Sequence, residues 1–214
     1  ALHLNGSNTV LELPARHELD LNPAQDSFTV ILGLLLPIGS PGVGETGTLL
    51  AREAPGNKGL RLAITDVVSD TDSDLELWFN NHRWTTRTTP PESPWQATTP
   101  GSWRSLDQDA RDIEWKVLTL IHDAEARETR LYLDTFLVAV IDTSRAEIGF
   151  SDPEARWIFG ARPDGEDRFE GYLANVRIFN YAIDPATVPE YLEEMGQDRL
   201  DMHPVVLPPY FNLP

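Results

Sequence analysis

The run "WKVLTLIHDAEARETRLYLDTFLVA", Trp115 to Ala139, decides the fold. In its first part, Trp115, Val117 and Ile121 fall on one side of an extended strand, and Leu118 and Leu120 fall on the other. A strand that is apolar on both sides sits in the middle of a sheet and is covered twice. A second β-rich run, Thr129 to Ile141, follows at once. The gap is too short for a helical crossover, so the two runs pair antiparallel.

Working outward, the same short, β-branched and aromatic runs recur at Thr9–Leu13, Phe28–Leu36, Gly59–Val68, Leu75–Phe79, Arg156–Ala161 and Phe169–Tyr181. Turn clusters such as "SPGVGETG", "APGNKG", "SDTDSD" and "RPDGED" separate them. This pattern predicts an all-β sandwich of two antiparallel sheets. One short C-terminal helix is expected from "PATVPEYLEEM", with Asp184 as N-cap and Pro185 in its first turn. Residues 199–214 hold too many prolines for a strand interior and are expected to form an extended strap across the sandwich, with a disordered end as the alternative.

Composition narrows the partners. A hydrophobic fraction of 41 % in 214 residues supports a sizeable core, and one domain over residues 1–198 is expected. The formal charge of −17 repels phosphate backbones and anionic lipid surfaces, so no nucleic-acid partner is expected. No apolar run approaches the ~18 residues of a membrane span, so no membrane insertion is expected. The chain holds no cysteine, hence no disulfide framework and no thiolate nucleophile. It begins at Ala1 rather than Met, compatible with an upstream segment removed before the numbering starts, and both secreted and cytoplasmic placements stay open.

The order of these pieces resembles the laminin-G-like members of the concanavalin A-like lectin and glucanase superfamily. The pieces are "ALHLNGSNTVLELP", "FTVILGLLL", "LLAREAPGNKGLRLAI", the run Trp115–Ala139, and "WIFGARPDGEDRFEGYLANVRIFNYAIDPATVPEYL". The resemblance covers residues 1 to about 196 and implies a jelly-roll of two large antiparallel sheets. It also implies sites that this chain departs from. Where related folds place a calcium-binding aspartate, the sequence reads Leu173, Ala174 and Asn175, and its first turn carries Asn5 and Asn8; without the carboxylate no family-type metal site is expected. The Glu-x-Asp-x-x-Glu strand of the related glycoside hydrolases is missing too; "HELDLN" and "DSDLELW" lack the second glutamate.

Other constellations read as structure. Asp70, Asp72 and Asp74 open like a calcium loop, but Leu75 stands where the turn needs glycine, so a solvated acidic turn is expected. The five histidines show no ligand spacing, and no nucleophile elbow or phosphate-binding loop occurs. No cofactor is expected.

The stretch "NHRWTTRTTPPESPWQATTPGSW", Asn81 to Trp103, stands apart. It interrupts a single sandwich, so it reads as a long loop insertion at residues 81–113 rather than a linker. Through Arg104 it carries three arginines against one acid, and three of the chain's six tryptophans. Tryptophan offers a flat face to sugar C–H groups, and arginine offers a planar fork to oxygens. The candidate ligand-binding residues are therefore His82, Arg83, Trp84, Arg87, Trp95, Trp103 and Arg104, acting with the concave face of the sandwich. Two uses of these tryptophans stand side by side, contact with a ligand or anchorage of the loop to the core. Trp78 and Trp115 are expected in the core.

The function expected is a non-catalytic module that binds a carbohydrate or another small polar or aromatic ligand. The alternative is a lyase, isomerase or cyclase acting on a small molecule beneath the loop, with catalytic residues unassigned.

Overall fold

The structure is a computed structural model and describes residues 1–35, 45–54, 58–66, 73–85, 115–150 and 152–199. Its strands form two six-stranded antiparallel sheets. The first runs, in spatial order, β1 (Leu2–Asn5), β12 (Glu170–Phe179), β3 (Phe28–Leu35), β8 (Lys116–Asp123), β9 (Glu128–Leu133) and β10 (Phe136–Asp142). The second runs β2 (Leu11–Leu13), β11 (Trp157–Phe159), β4 (Thr46–Ala54), β5 (Lys58–Asp66), β6 (Ser73–Phe79) and β7 (His82–Thr85). This is the all-β sandwich that the sequence predicts.

Strand β8 behaves as its pattern requires. Leu118 and Leu120 enter the core between the sheets, with Leu62 and Leu77 from the second sheet. Val117 and Ile121 point the other way, into a smaller cluster with Ile31, Tyr132, Ile183 and Val188. Ile183 lies just before the C-terminal helical segment and Val188 opens its α-helix; together they cover the outer face of the first sheet. Each such aliphatic side chain contributes about 1.5–3 kcal/mol by leaving water.

The helical segment opens as a 3-10 turn, Pro185–Thr187, before the α-helix α1, Val188–Arg199. Asp184 caps it, its Oδ1 accepting from the Ala186 N–H at 2.9 Å. The expected strap lies outside the described residues from residue 200 onward. The run Thr129–Ile141 is a hairpin, β9 and β10, turning at Asp134 with φ 52°.

Three strands are absent from the periodic pattern: β1, β4 and β7. β4 mixes Gly47, Arg52 and Glu53 into an otherwise apolar run, and a bulge between Thr48 and Leu50 breaks its alternation. It is stitched to β5 at Gly59, whose φ of 138° and the 2.1 Å between a built Cβ and the Arg52 carbonyl oxygen admit only glycine. β7 takes up His82–Thr85, so the first residues of the expected insertion belong to the sheet.

His122 closes one end of the core. It is fully buried, packed beside Phe28 and Phe79 with ring centroids at 5.1 and 5.4 Å. Its Nε2 lies 2.6 Å from the Pro23 carbonyl oxygen, which only accepts, so Nε2 carries the proton; Nδ1 then accepts from the Thr129 hydroxyl at 2.8 Å. Burial lowers the His122 pKa below its ordinary 6.5, ahead of the opposing effects of the Pro23 hydrogen bond and Asp123.

The unfolded chain thus takes up this proton at a pH where the folded one resists it. Stability is complete above the ordinary histidine pKa and falls as pH drops from there toward the lowered one. Thermal melts between about pH 7.5 and about pH 5.5 are expected to show a declining Tm in the wild type and a flatter profile in His122→Gln. An unchanged slope in the variant assigns the titration elsewhere.

Candidate functional site

The outer face of the second sheet is built differently from that of the first. Register rows place Ala51, Arg61, Trp78 and Arg83 side by side across β4, β5, β6 and β7, with Thr48, Ala63, Glu76 and Thr85 in the next row along the strands. Alternation dictates this set, because Leu60, Leu62, Leu75, Leu77 and Phe79 take the inward positions of the same strands.

Trp78 is the centre of this face. The Arg61 guanidinium lies 4.6 Å from its ring centroid and that of Arg83 lies 5.4 Å away, both over the ring. Its Nε1 donates to Glu76 Oε2 at 3.3 Å, and Arg83 Nε donates to the same oxygen at 3.1 Å. A second Arg83 nitrogen pairs with Glu76 Oε1, completing a two-point pair. The expectation that Trp78 is a core residue is corrected: it is half-buried on the outer face, because the even positions of β6 point away from the core. Trp115 is likewise half-buried, just before β8. Among the described residues the core tryptophans are Trp84 and Trp157; Trp157 is 2 % exposed, with Nε1 donating to the Leu19 carbonyl at 3.0 Å.

A polar lattice continues from Trp78 toward the loop after β11. Arg61 donates to Asp167 Oδ2 at 3.0 Å. Arg162 approaches Glu53 at 3.8 Å, Asp164 at 3.1 Å and Asp167 at 3.8 Å. The loop itself is the turn expected of "RPDGED", held by the Gly165 N–H on the Arg162 carbonyl at 2.9 Å and by the Thr48 N–H on the Asp167 carbonyl at 2.7 Å. Burial raises the Glu53 pKa, against the opposing pull of Arg61 and Arg162. Thr48 Oγ1, Glu53 Oε2 and Arg61 Nε are buried and, among the described residues, have no hydrogen-bond partner.

The candidate residues of the insertion divide by the same alternation. Arg83 faces outward into the Trp78 cluster, its side chain 49 % exposed. Trp84 faces inward, 7 % exposed and edge-on to Phe79 at 6.1 Å. Its ring packs in the core and anchors β7. His82 sits at the tip of the β6–β7 hairpin, where its Nε2 accepts from the Glu147 N–H at 3.2 Å. Arg87, Trp95, Trp103 and Arg104 lie outside the described residues. Arg61, Glu76 and Trp78 escaped the sequence reading, although the alternation of "LELWF" against Leu75 and Leu77 already sets Glu76 and Trp78 on one side.

At the first turn, Asn5 Oδ1 accepts from the N–H groups of Ser7, Asn8 and Thr9 at 3.0–3.1 Å. This oxygen caps a turn, and Asn8 Oδ1 accepts from Asn5 Nδ2 at 2.7 Å.

A family model of the concanavalin A-like lectin/glucanases superfamily, of the laminin G type, matches residues 50–189. No curated protein matches the sequence. Among solved structures, the binding domain of Paraclostridial Mosquitocidal Protein 1 aligns with TM-score 0.61 at 14 % identity, over 90 % of this chain and 43 % of that one. The ligand binding domain of Botulinum neurotoxin serotype D, in complex with N-acetylneuraminic acid, aligns with TM-score 0.63 at 12 % identity, over 89 % of this chain and 41 % of that one. Domain 4 of the arabinanase AbnA from Geobacillus stearothermophilus, in complex with arabinotriose, aligns with TM-score 0.54 at 14 % identity, over 88 % of this chain and 74 % of that one. The chain thus spans about two fifths of the toxin domains, and at these identities the likeness is one of fold.

The two tryptophans of the β6–β7 hairpin are expected to separate in a stability measurement. Trp84→Ala removes a buried ring and is expected to cost about 3 kcal/mol. Trp78→Ala removes a half-buried ring and two cation–π contacts and is expected to cost about 1 kcal/mol. Urea denaturation of both variants checks the order.

Proposed function

The chain belongs to the concanavalin A-like lectin/glucanase superfamily, and from that premise we propose that it is a non-catalytic carbohydrate-binding module. Its contact surface is the outer face of the second sheet around Trp78. The observation that carries this reading is Trp78 held beside Arg61, Arg83 and Glu76 on one face. Guanidinium and carboxylate groups held against the indole exchange hydrogen bonds with sugar hydroxyls, and the part of the ring that Arg61 and Arg83 leave open packs against sugar C–H groups. Arg87, Trp95, Trp103 and Arg104 contribute further contacts from the insertion. Two of the fold neighbours are bound to sugars, N-acetylneuraminic acid and arabinotriose, which supports the same ligand class.

The placement of the carboxylates favours binding over hydrolysis. Glu76 shares the Thr48 row, whereas Glu53 lies opposite Gly59 two strands away. Strand geometry puts their Cα atoms roughly 15 Å apart, beyond the ~5–9.5 Å between the carboxyl groups of glycosidase pairs.

A glycan array probed with the full chain is expected to return hits that Trp78→Ala and Arg61→Ala reduce at least tenfold, while Trp84→Ala, assayed where it is folded, keeps them. Retention of every hit by Trp78→Ala would overturn the assignment of this face.

A further inference from the structure

The segment between β1 and β2 places a reactive pair of residues in water. The sequence contains one Asn-Gly pair, Asn5–Gly6, and Asn5 is exposed where β1 ends. The turn itself calls for the glycine. Its φ is 66°, and a Cβ built there would stand 3.2 Å from the Cβ of Glu170, the residue in register with Asn5. A glycine also leaves its amide nitrogen unshielded by a side chain, and among the described residues no hydrogen bond engages the Gly6 N–H.

The amide of Asn5 is held in an activating arrangement. Its Oδ1 accepts from the N–H groups of Ser7 at 3.1 Å, Asn8 at 3.0 Å and Thr9 at 3.1 Å. Three amide donors on one carbonyl oxygen draw electron density from Cγ and stabilise negative charge that develops on Oδ1. The bond to Ser7 closes a ring that runs through Asn5 Cγ and Gly6 N, so it folds the side chain back along the chain toward that nitrogen.

We propose that Asn5 is a site of self-modification, at which the Gly6 nitrogen attacks Asn5 Cγ and the residue becomes aspartate with water as the one co-reactant. In the first step Gly6 N gives its proton to solvent base and bonds to Cγ, the Cγ–Nδ2 bond breaks, and ammonia leaves a succinimide behind. In the second step water adds to one imide carbonyl and reopens the ring. Opening at Cγ restores the ordinary backbone with an aspartate. Opening at the backbone carbonyl, the more electrophilic of the two because of the amide nitrogen on the adjoining Cα, gives an isoaspartate linkage instead. Oδ1 carries the negative charge both when the ring closes and when water adds to Cγ, so the same three N–H groups promote closure and direct the opening to aspartate. The product carboxylate then receives those three bonds in charge-assisted form. Asn8 Oδ1, which now accepts from Asn5 Nδ2 at 2.7 Å, is replaced by Asn8 Nδ2 through a turn of the Asn8 amide.

The test incubates the purified full chain in mildly alkaline buffer, folded and, in parallel, unfolded in urea. Peptide mass spectrometry follows each asparagine, and electron-transfer fragmentation separates aspartate from isoaspartate. In the folded chain Asn5 is expected to convert at least tenfold faster than any other asparagine, with aspartate as the major product; the unfolded chain, which lacks the three-donor turn, is expected to give mainly isoaspartate. Asn5→Asp reproduces the product and is expected to keep the Tm of the parent at neutral pH. An Asn5 that stays intact in the folded chain while the unfolded chain converts would overturn the proposal, because the ordered turn then blocks closure. An equal share of aspartate in both states, or a lowered Tm in Asn5→Asp, would overturn the part assigned to the three N–H groups.

Discussion

Two-sided burial of the central strands of the first sheet constrains everything else. β3 is buried at all eight positions, and the six interior positions of β8 are buried as well. Neither strand can lie at a surface, so one face must meet the second sheet and the other must be roofed. The roof is formed by Ile183 and the C-terminal helical segment after it, with Ile183 and Val188 set onto Ile31, Val117 and Ile121. The outer face of the second sheet carries charged side chains instead, Arg61 and Glu76 among them, both buried. The sandwich is therefore asymmetric by composition.

That second face holds charge in places where charge is costly. Glu53, Arg61 and Glu76 are each at most 9 % exposed. Buried ion pairs of this kind are weak contributors to stability, since desolvation offsets most of their attraction; a leucine in such a position would serve folding at least as well. What the lattice provides is position. Glu76 holds Arg83 at two points and Trp78 at a third, and Asp167 holds Arg61, so the groups around the Trp78 ring have little freedom left to lose when a ligand arrives.

The sequence discloses the sandwich because its strongest signal, the period of two, is carried by residues that burial selects. Leu118 and Leu120 against Val117 and Ile121 announce both the sheet and its double cover, and Asp184 with Pro185 announces the helical segment. β4 hides because its bulge and its buried Arg52 break both alternation and hydropathy. Arg52 is 1 % exposed, bound to Asp20 and to the carbonyls of Leu21 and Asp152, partners 31 and 100 residues distant that no local pattern predicts. The candidate site was half legible. Composition draws attention to the tryptophans and arginines after Asn81, whereas the Trp78 cluster is a register effect across β5, β6 and β7, and register is invisible until strands are paired.

Alternation also divides the described residues of the Trp-rich stretch between two sides of the sheet. With Trp84 paired to Leu77, Trp84 takes the inward side of β7, Arg83 takes the outward side, and His82 stays exposed at the hairpin tip. The density of tryptophan in this region thus combines two unlike roles on adjacent strands. Trp84 fixes the edge strand to the core through Phe79, and Trp78 stands outward among charges that are already paired. Arg61 and Arg83 each answer an acid on this face, so the surface around Trp78 presents hydrogen-bonding dipoles rather than a net positive field, in a chain whose formal charge is −17. Such a surface suits the hydroxyls of a neutral glycan better than a polyanion, whose approach the rest of the molecule opposes at long range.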